Sequence, residues 1–363
     1  MIDKKVDFLF SNNCEQAARV QKSLCRFWLR GTEQYAKSEK EKQIRNISDL
    51  KRSLFWNEEL DDTWRDRFNM SILIYAVLLD EPTLVDEILT FFDASELLNH
   101  RMPKKGLPEL GLPGKSLAIH IAMGVANVET VRTLLKFGSH VSQSLDAMSN
   151  DALMMSCVTG NIKNIQFWFE TFPKWDINRK NAYGSPAIHF AAFLGRSKLD
   201  LIRYLVEKMN ADVNVTNNLG NNTLILAAKN EDCDPKVVRY LLEKVDVNVQ
   251  IVSQSISWKI TRFISRLVVR SKLSRSKLLR RVADSGGLTA LHYAARRGDV
   301  AIVELLLGSG AKLSIKNDLG KDVFVYCKDF PEIENAIRRL HREAFRNNNN
   351  NLTTCVSRQG MFC

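Results

Sequence analysis

The stretch GLTALHYAARRGDVAIVELLL, Gly287 to Leu307, decides how this chain folds. It reads as two short helices with a tight turn between them. Gly287 admits the positive φ needed where a loop turns into a helix. Thr289 stands at the cap position. Ala294 and Ala295 are small enough for a neighbouring helix to approach closely. Gly298 ends the first helix, and the Val, Ile and Leu residues from 300 to 307 form a stripe that only another helix pair can bury. Such a unit has no core of its own, so it predicts further copies alongside.

Those copies are present. GSPAIHFAA begins at Gly184 and GNNTLILAA at Gly220, each followed by an apolar second helix, with Leu201, Ile202, Tyr204 and Leu205 in one case and Val237, Val238, Tyr240, Leu241 and Leu242 in the other. Looser copies are Ala118–Ala122 and Ala152–Cys157, the latter followed by Gly160 and Asn161. With His292 as the reference column, the equivalent positions are Ile74, His120, Met154, His189, Ile225, His292 and Val325, separated by 46, 34, 35, 36, 67 and 33 residues. Four of these steps lie near a period of about 33, and the other two carry insertions.

On these residues the chain resembles the ankyrin-repeat family, whose pattern is G-x-T-P-L-H-x-A-A-x-x-G. The resemblance spans roughly residues 70–330 and is most specific at 184–228 and 287–320. It implies an all-α ankyrin-repeat solenoid of about six to seven helix-turn-helix repeats with finger loops. Met154 and Ile225 in the His column and Leu117 in the Thr column depart from the pattern, and weaker local hydrogen bonding is expected there.

The expected organisation is an N-terminal helical cap or module over 1–69, repeats over 70–250, a basic insert over 251–286, repeats again over 287–345, and a disordered Asn-rich tail over 346–363. The N-terminal segment carries Leu50, Leu54, Phe55, Trp56, Leu60 and Trp64 among charges, suited to covering the first repeat. Residues 101–114, with three Pro and three Gly, read as a long finger loop.

The net charge of +11 is concentrated. No acidic residue falls between Val247 and Ala283, whereas Lys259, Arg262, Arg266, Arg270, Lys272, Arg275, Lys277, Arg280 and Arg281 all do. Ile260, Phe263, Ile264, Leu267 and Val268 follow helical spacing, with Lys259, Arg262, Arg266 and Arg270 opposite. The plain expectation is a helix whose apolar face packs on the scaffold and whose bases face water. The functional alternatives are contact with an acidic protein, a nucleic acid, an anionic membrane surface or a nuclear-import receptor. An insert twice the usual step is also open to reading as a degenerate repeat, although it lacks the Gly and Ala-Ala signatures.

No phosphate-binding glycine loop, H-E-x-x-H or G-x-S-x-G motif is present. His120, His189 and His292 recur once per repeat, as structural residues do and catalysts do not. A non-enzymatic chain with no cofactor and no metal site is expected. Seven scattered cysteines without ligand spacing suit reduced thiols in a cytoplasmic or nuclear protein. Neither a signal peptide nor a membrane-spanning segment is legible. The run Phe167, Trp168, Phe169, Phe172 and Trp175 is expected mainly to pack in the core, with one or two of the five left as an exposed contact patch because one core cannot take them all.

The resemblance implies a monomeric protein-protein interaction scaffold or adaptor, binding one or more proteins on the concave face made by first helices and finger tips. The positions it assigns to contact are Tyr183, Phe193, Leu194, Asn217, Lys229, Asn230, Arg296 and Arg297. A cellular adaptor and a microbial effector acting in a host cell both fit this reading.

Overall fold

The computed structural model describes residues 71–102, 114–139, 141, 144–193, 199–273 and 276–339. The expected N-terminal cap, the tip of the 101–114 finger and the Asn-rich tail lie outside the described residues. Among those described, the regular structure is helical throughout, with no strand. The chain divides into two compact units, Met1–Asn217 and Asn218–Cys363.

In the first unit the helices are α1 (Ile72–Leu79), α2 (Pro82–Phe91), α3 (Ala94–Asn99), α4 (Ala118–Val125), α5 (Val128–Lys136), α6 (Ala152–Thr159), α7 (Ile162–Thr171), α8 (Ala187–Phe193) and α9 (Leu199–Arg203), which runs on as a wider turn through Tyr204–Lys208. First helices stack in the order α1, α4, α6, α8, and second helices in the order α2, α5, α7. Each pair thus buries the stripe its predecessor leaves open, which is the physics of a repeat array. Ile72, Leu73, Ala122, Met123, Ala191 and Ala192 are buried in the first-helix row, and Ile88, Val131, Leu134, Ile165 and Trp168 in the second.

In the second unit the elements are α10 (Thr223–Lys229), α11 (Pro235–Leu242), α12 (Ile256–Arg270), α13 (Lys277–Asp284), α14 (Ala290–Arg297), α15 (Val300–Gly308) and a 3-10 turn at Val323–Val325, after which residues 331–339 are helical. Here α10 packs directly on α14 and α11 on α15, while α12 and α13 pack on each other. The stack therefore passes over residues 252–286 without a break. The stems of that excursion are zipped together: the Ile251 amide donates to the Leu288 carbonyl at 2.9 Å, and the Gly287 amide to the Ile251 carbonyl at 2.9 Å. The chain thus leaves and re-enters the array at one point of a finger.

The loop-to-helix glycines have left-handed φ, 72° at Gly184, 89° at Gly220 and 75° at Gly287, as the repeat grammar requires. At Gly220 there is a second constraint, because the Val252 backbone occupies the space a Cβ would need.

The departures from the His column do not weaken the helix starts as expected. At two of the three histidines the ring caps the turn: the Leu117 amide donates to His120 Nδ1 at 2.9 Å, and the Thr289 amide to His292 Nδ1 at 3.1 Å, whereas at His189 the equivalent residue is Pro186, which has no amide to give. Where the column holds Met154 or Ile225, Asp151 or Asn222 stands three residues earlier. Its carboxylate or amide oxygen accepts the Met154 or Ile225 amide at 2.9 Å. One side-chain acceptor has been exchanged for another.

Buried amides bind successive repeats. Asn164 Nδ2 donates to the carbonyls of Ala122, Met123 and Ala126 at 3.2, 3.1 and 2.8 Å, supplying acceptors at the C-terminal end of α4 with a donor from α7.

Candidate protein-binding face and the basic insert

The recurring histidines are buried and structural. His120 Nε2 lies 3.0 Å from the Ser144 carbonyl, and His189 Nε2 lies 3.0 Å from that of Val215. A carbonyl only accepts, so Nε2 carries the proton and Nδ1 is the acceptor. A second proton on the His120 ring would face the Leu117 N–H. Burial, the dominant cause, lowers all three histidines from their usual value to about 4. They stay neutral where a general base would need to exchange protons. Among the described residues no group of three His, Cys, Asp or Glu side chains is placed to hold a metal ion. Cys157 and Cys327 are core atoms, and burial raises both thiols.

The assigned contact residues separate on inspection. Tyr183 and Phe193 are half-buried, at a finger and at the end of α8, and Leu194 lies outside the described residues. Asn217 is buried, and its Nδ2 reaches Ser185 Oγ at 3.3 Å. Its counterparts Asn181 and Asn317 show why such a residue is retained. Asn181 Oδ1 accepts the amides of Tyr183 and Ser185, and Asn317 Oδ1 accepts those of Leu319 and Lys321, so each closes its own finger turn. Asn230 is buried at the end of α10, where Oδ1 accepts the Asp232 amide at 3.1 Å.

Arg297 is likewise structural. Its Nη1 donates to the carbonyls of Ala228 (2.9 Å) and Asn230, and Nη2 pairs with Asp299 Oδ2 at 2.7 Å. The guanidinium fastens α14 to the preceding repeat. Asn217 and Asn230 are thus buried and Arg297 half-buried, with polar atoms engaged inside the repeats rather than presented outward.

Lys229 and Arg296 remain, and they come together with two tyrosines that the repeat pattern does not single out. Lys229 Nζ lies 4.3 Å from the centre of the Tyr293 ring and 2.7 Å from Asn221 Oδ1. The Arg296 guanidinium carbon lies 5.8 Å from the Tyr293 ring and 5.9 Å from that of Tyr326. Tyr326 is fixed by its hydroxyl, which donates to Asp284 Oδ2 at 2.8 Å. The result is a preorganised cluster of two cations against two aromatic rings on the first-helix side of the second unit. Tyr326 stands one residue after the reference column, in the most degenerate repeat, where pattern reading is weakest.

In the first unit the aromatic run packs mainly inward, in line with the default expectation. Trp168 is fully buried, Phe167 is buried, and Phe172 and Trp175 pack on Trp168 with ring centres 4.9 and 5.1 Å away. The run folds onto itself and leaves only half-exposed edges.

The insert is turned the opposite way from the plain expectation. Trp258, Arg262 and Ser265 form the inner face of α12, with Arg266 half-buried beside them. Arg266 Nη2 pairs with Asp318 Oδ2 at 2.7 Å, and its Nε donates to the Ala283 carbonyl at 3.2 Å. The Arg262 guanidinium lies against Gly286, a position where any side chain would also collide with the Asp318 carboxylate. At the end of α13, Asp284 Oδ1 accepts from Lys321 Nζ at 2.8 Å and from Asn317 Nδ2 at 3.0 Å. Both helices are thus anchored to the next finger through charge. The stripe of Ile256, Ile260, Phe263, Ile264 and Leu267 points away from the protein. Lys259, Arg270, Lys272, Lys277 and Arg280 are exposed, Arg281 is half-buried, and Arg275 lies outside the described residues.

With this geometry in hand, the class of the molecule follows: an all-α array of stacked helix pairs joined by finger loops. A family model for ankyrin repeats, three copies, matches residues 169–251, and a model for a single ankyrin repeat matches residues 286–318. The chain carries ankyrin repeats. The two matches stop and resume at the stems of the insert, leaving the α12–α13 pair outside the repeat pattern. No curated protein matches the chain. No described helix is long and apolar enough to cross a membrane.

Proposed function

We propose that this chain is a scaffold that holds an acidic partner protein on the first-helix face of its second unit, through Lys229 and Arg296 set against Tyr293 and Tyr326. Ankyrin repeats generally mediate protein-protein interaction and are typically non-enzymatic modules, which supports this reading. The observation that carries this reading is the cation–aromatic cluster itself. Its rings are positioned by the repeat core and by the Asp284 bond, so little side-chain freedom is lost on binding. Tyr and Arg are also the residue types that dominate interface energetics. Tyr183 and Phe193 offer half-exposed aromatic edges of the same kind in the first unit.

The test is capture of binding partners from a lysate by the intact chain and by the double variant Lys229→Glu, Arg296→Glu. Loss of a defined band with unchanged thermal melting supports the reading. An unchanged set of captured proteins with an equally folded variant refutes it.

A further inference from the structure

The outer face of α12 is apolar without being covered. Ile256 is 73% exposed, Ile260 53%, Phe263 59%, Ile264 48% and Leu267 49%. Val252 before the helix and Leu273 after it, each 61% exposed, add apolar surface at the two ends. These side chains recur at i, i+4, i+7, i+8 and i+11, so they form one ridge along about 16 Å of helix at 1.5 Å per residue. Large contiguous apolar surface of this kind marks a contact site.

The ridge does not arise from a loosely attached helix. The inner face is held by Arg266 on Asp318 and Ala283, by buried Trp258 and Ser265, and by the Asp284 cluster at the end of α13. The orientation is therefore fixed with the ridge outward. Exposed cations flank it: Lys259 along the helix, then Arg270 and Lys272 at its end and Lys277 and Arg280 on α13.

We propose that this ridge is a membrane-surface contact, in which Ile256, Ile260, Phe263, Ile264 and Leu267 enter the headgroup–acyl boundary of an anionic bilayer while the surrounding lysines and arginines pair with lipid phosphates and carboxylates. Charge complementarity selects this occupant. The segment from Val247 to Ala283 has no acidic side chain, so a second copy of the chain would set cations against cations. A nucleic acid would meet hydrocarbon where it needs donors, because Arg262 and Arg266 are directed inward. A bilayer bearing anionic lipid supplies both halves at once, apolar depth for the ridge and diffuse negative charge on all sides. A protein would need a groove of matching length with acidic rims on both flanks.

The experiment is co-sedimentation of the full chain with vesicles of phosphatidylcholine alone and with 30% phosphatidylserine. Binding is expected only to the anionic vesicles. Phe263→Asp together with Ile260→Asp should lower it at least tenfold, because both side chains lie on the exposed ridge and charge there opposes insertion. Replacing Arg270 and Lys272 by Glu should weaken it by roughly fivefold for each cation lost. Melting temperature, followed in parallel, should not move for either variant. Equal binding to both vesicle types, retention of binding by the Asp variant, or no binding to anionic vesicles would each overturn the proposal. The last outcome would leave the ridge to a protein groove. The Lys229 and Arg296 variant should bind vesicles normally, which separates a failure here from a failure of the scaffold reading.

Discussion

Replacing Arg297 by Ala should destabilise the second unit, whereas the same change at its neighbour Arg296 should barely do so. Arg297 is held by two backbone carbonyls of the preceding repeat and by Asp299, and the two side chains of that pair are only 15% and 22% exposed. Hydrogen bonds from a charged donor are worth about 1.5–3 kcal/mol each. Asp299 keeps a second task, accepting the Ile302 amide at 3.0 Å, so it is not stranded when the arginine is removed. Two carbonyl bonds, partly replaced by water in the vacated space, give an expected loss of about 3 kcal/mol. Arg296 contributes only a partly exposed cation–ring contact, worth about 0.5–1 kcal/mol. The lost energy belongs to the interface between the α10–α11 and α14–α15 repeats, and in a repeat array such a term couples neighbours. Thermal unfolding of Arg297→Ala should therefore begin about 6–12 °C lower, at roughly 2–4 °C per kcal/mol, and should broaden as coupling weakens. Arg297→Lys should fall between, since an ammonium lacks the fork that reaches both carbonyls and the carboxylate together. A melting temperature for Arg297→Ala within about 2 °C of that for Arg296→Ala would refute the assignment, on the same scale of roughly 2–4 °C per kcal/mol.

Two further outcomes follow from the repeat core. The three histidines titrate at about 4 in the fold but near 6.5 when unfolded, so below pH 6.5 the unfolded chain takes up protons that the fold refuses. Stability should thus fall as pH drops from 7 toward 4, by up to about 1.4 kcal/mol per pH unit for each histidine. Asp146, which burial pushes up to about 6, opposes this, and so does Asp151, which burial also raises, so the net fall is smaller than the histidines alone would give. A melting temperature that stays level or rises between pH 7 and 5.5 would contradict the assignment. Asn164→Leu should cost about 1–3 kcal/mol by removing this shared buried donor, although Ala122, Met123 and Ala126 each keep a second one in the Ala126 amide, Ser156 Oγ and Asn161 Nδ2. Chemical denaturation measures it, and an unchanged midpoint would show that water replaces the amide at no cost.

The repeat was legible because its constraints are local. A left-handed φ at Gly184, Gly220 and Gly287 and a helix start just before each reference position follow from the backbone of one repeat, and they recur at fixed spacing. The Ala-Ala pairs and apolar second-helix stripes declare in the same way that copies must stack. Contact residues were less legible, because position in the pattern says where a side chain starts but not what it bonds. Asn217, Asn230 and Arg297 sit at contact positions, yet Asn217 reaches the Ser185 hydroxyl 32 residues away, Asn230 closes its own turn, and Arg297 is held by backbone carbonyls 69 and 67 residues away. The cation–aromatic cluster escaped for the converse reason. Its members Lys229, Tyr293, Arg296 and Tyr326 come from three different repeats.

From sequence alone came the helix-pair grammar, the burial of its histidines and cysteines, and the presence of an amphipathic basic helix between Val247 and Ala283. Which way that helix faces was decided only in three dimensions. Periodicity defines two opposite faces and is symmetric between them. The choice falls to acceptors brought near by the fold, Asp318 and the Ala283 carbonyl, which draw Arg266 inward and leave Ile260 and Phe263 outside. A few well-placed oxygens outweigh the hydrophobic preference of the stripe, and so the exposed surface is apolar where the sequence suggested it would be charged.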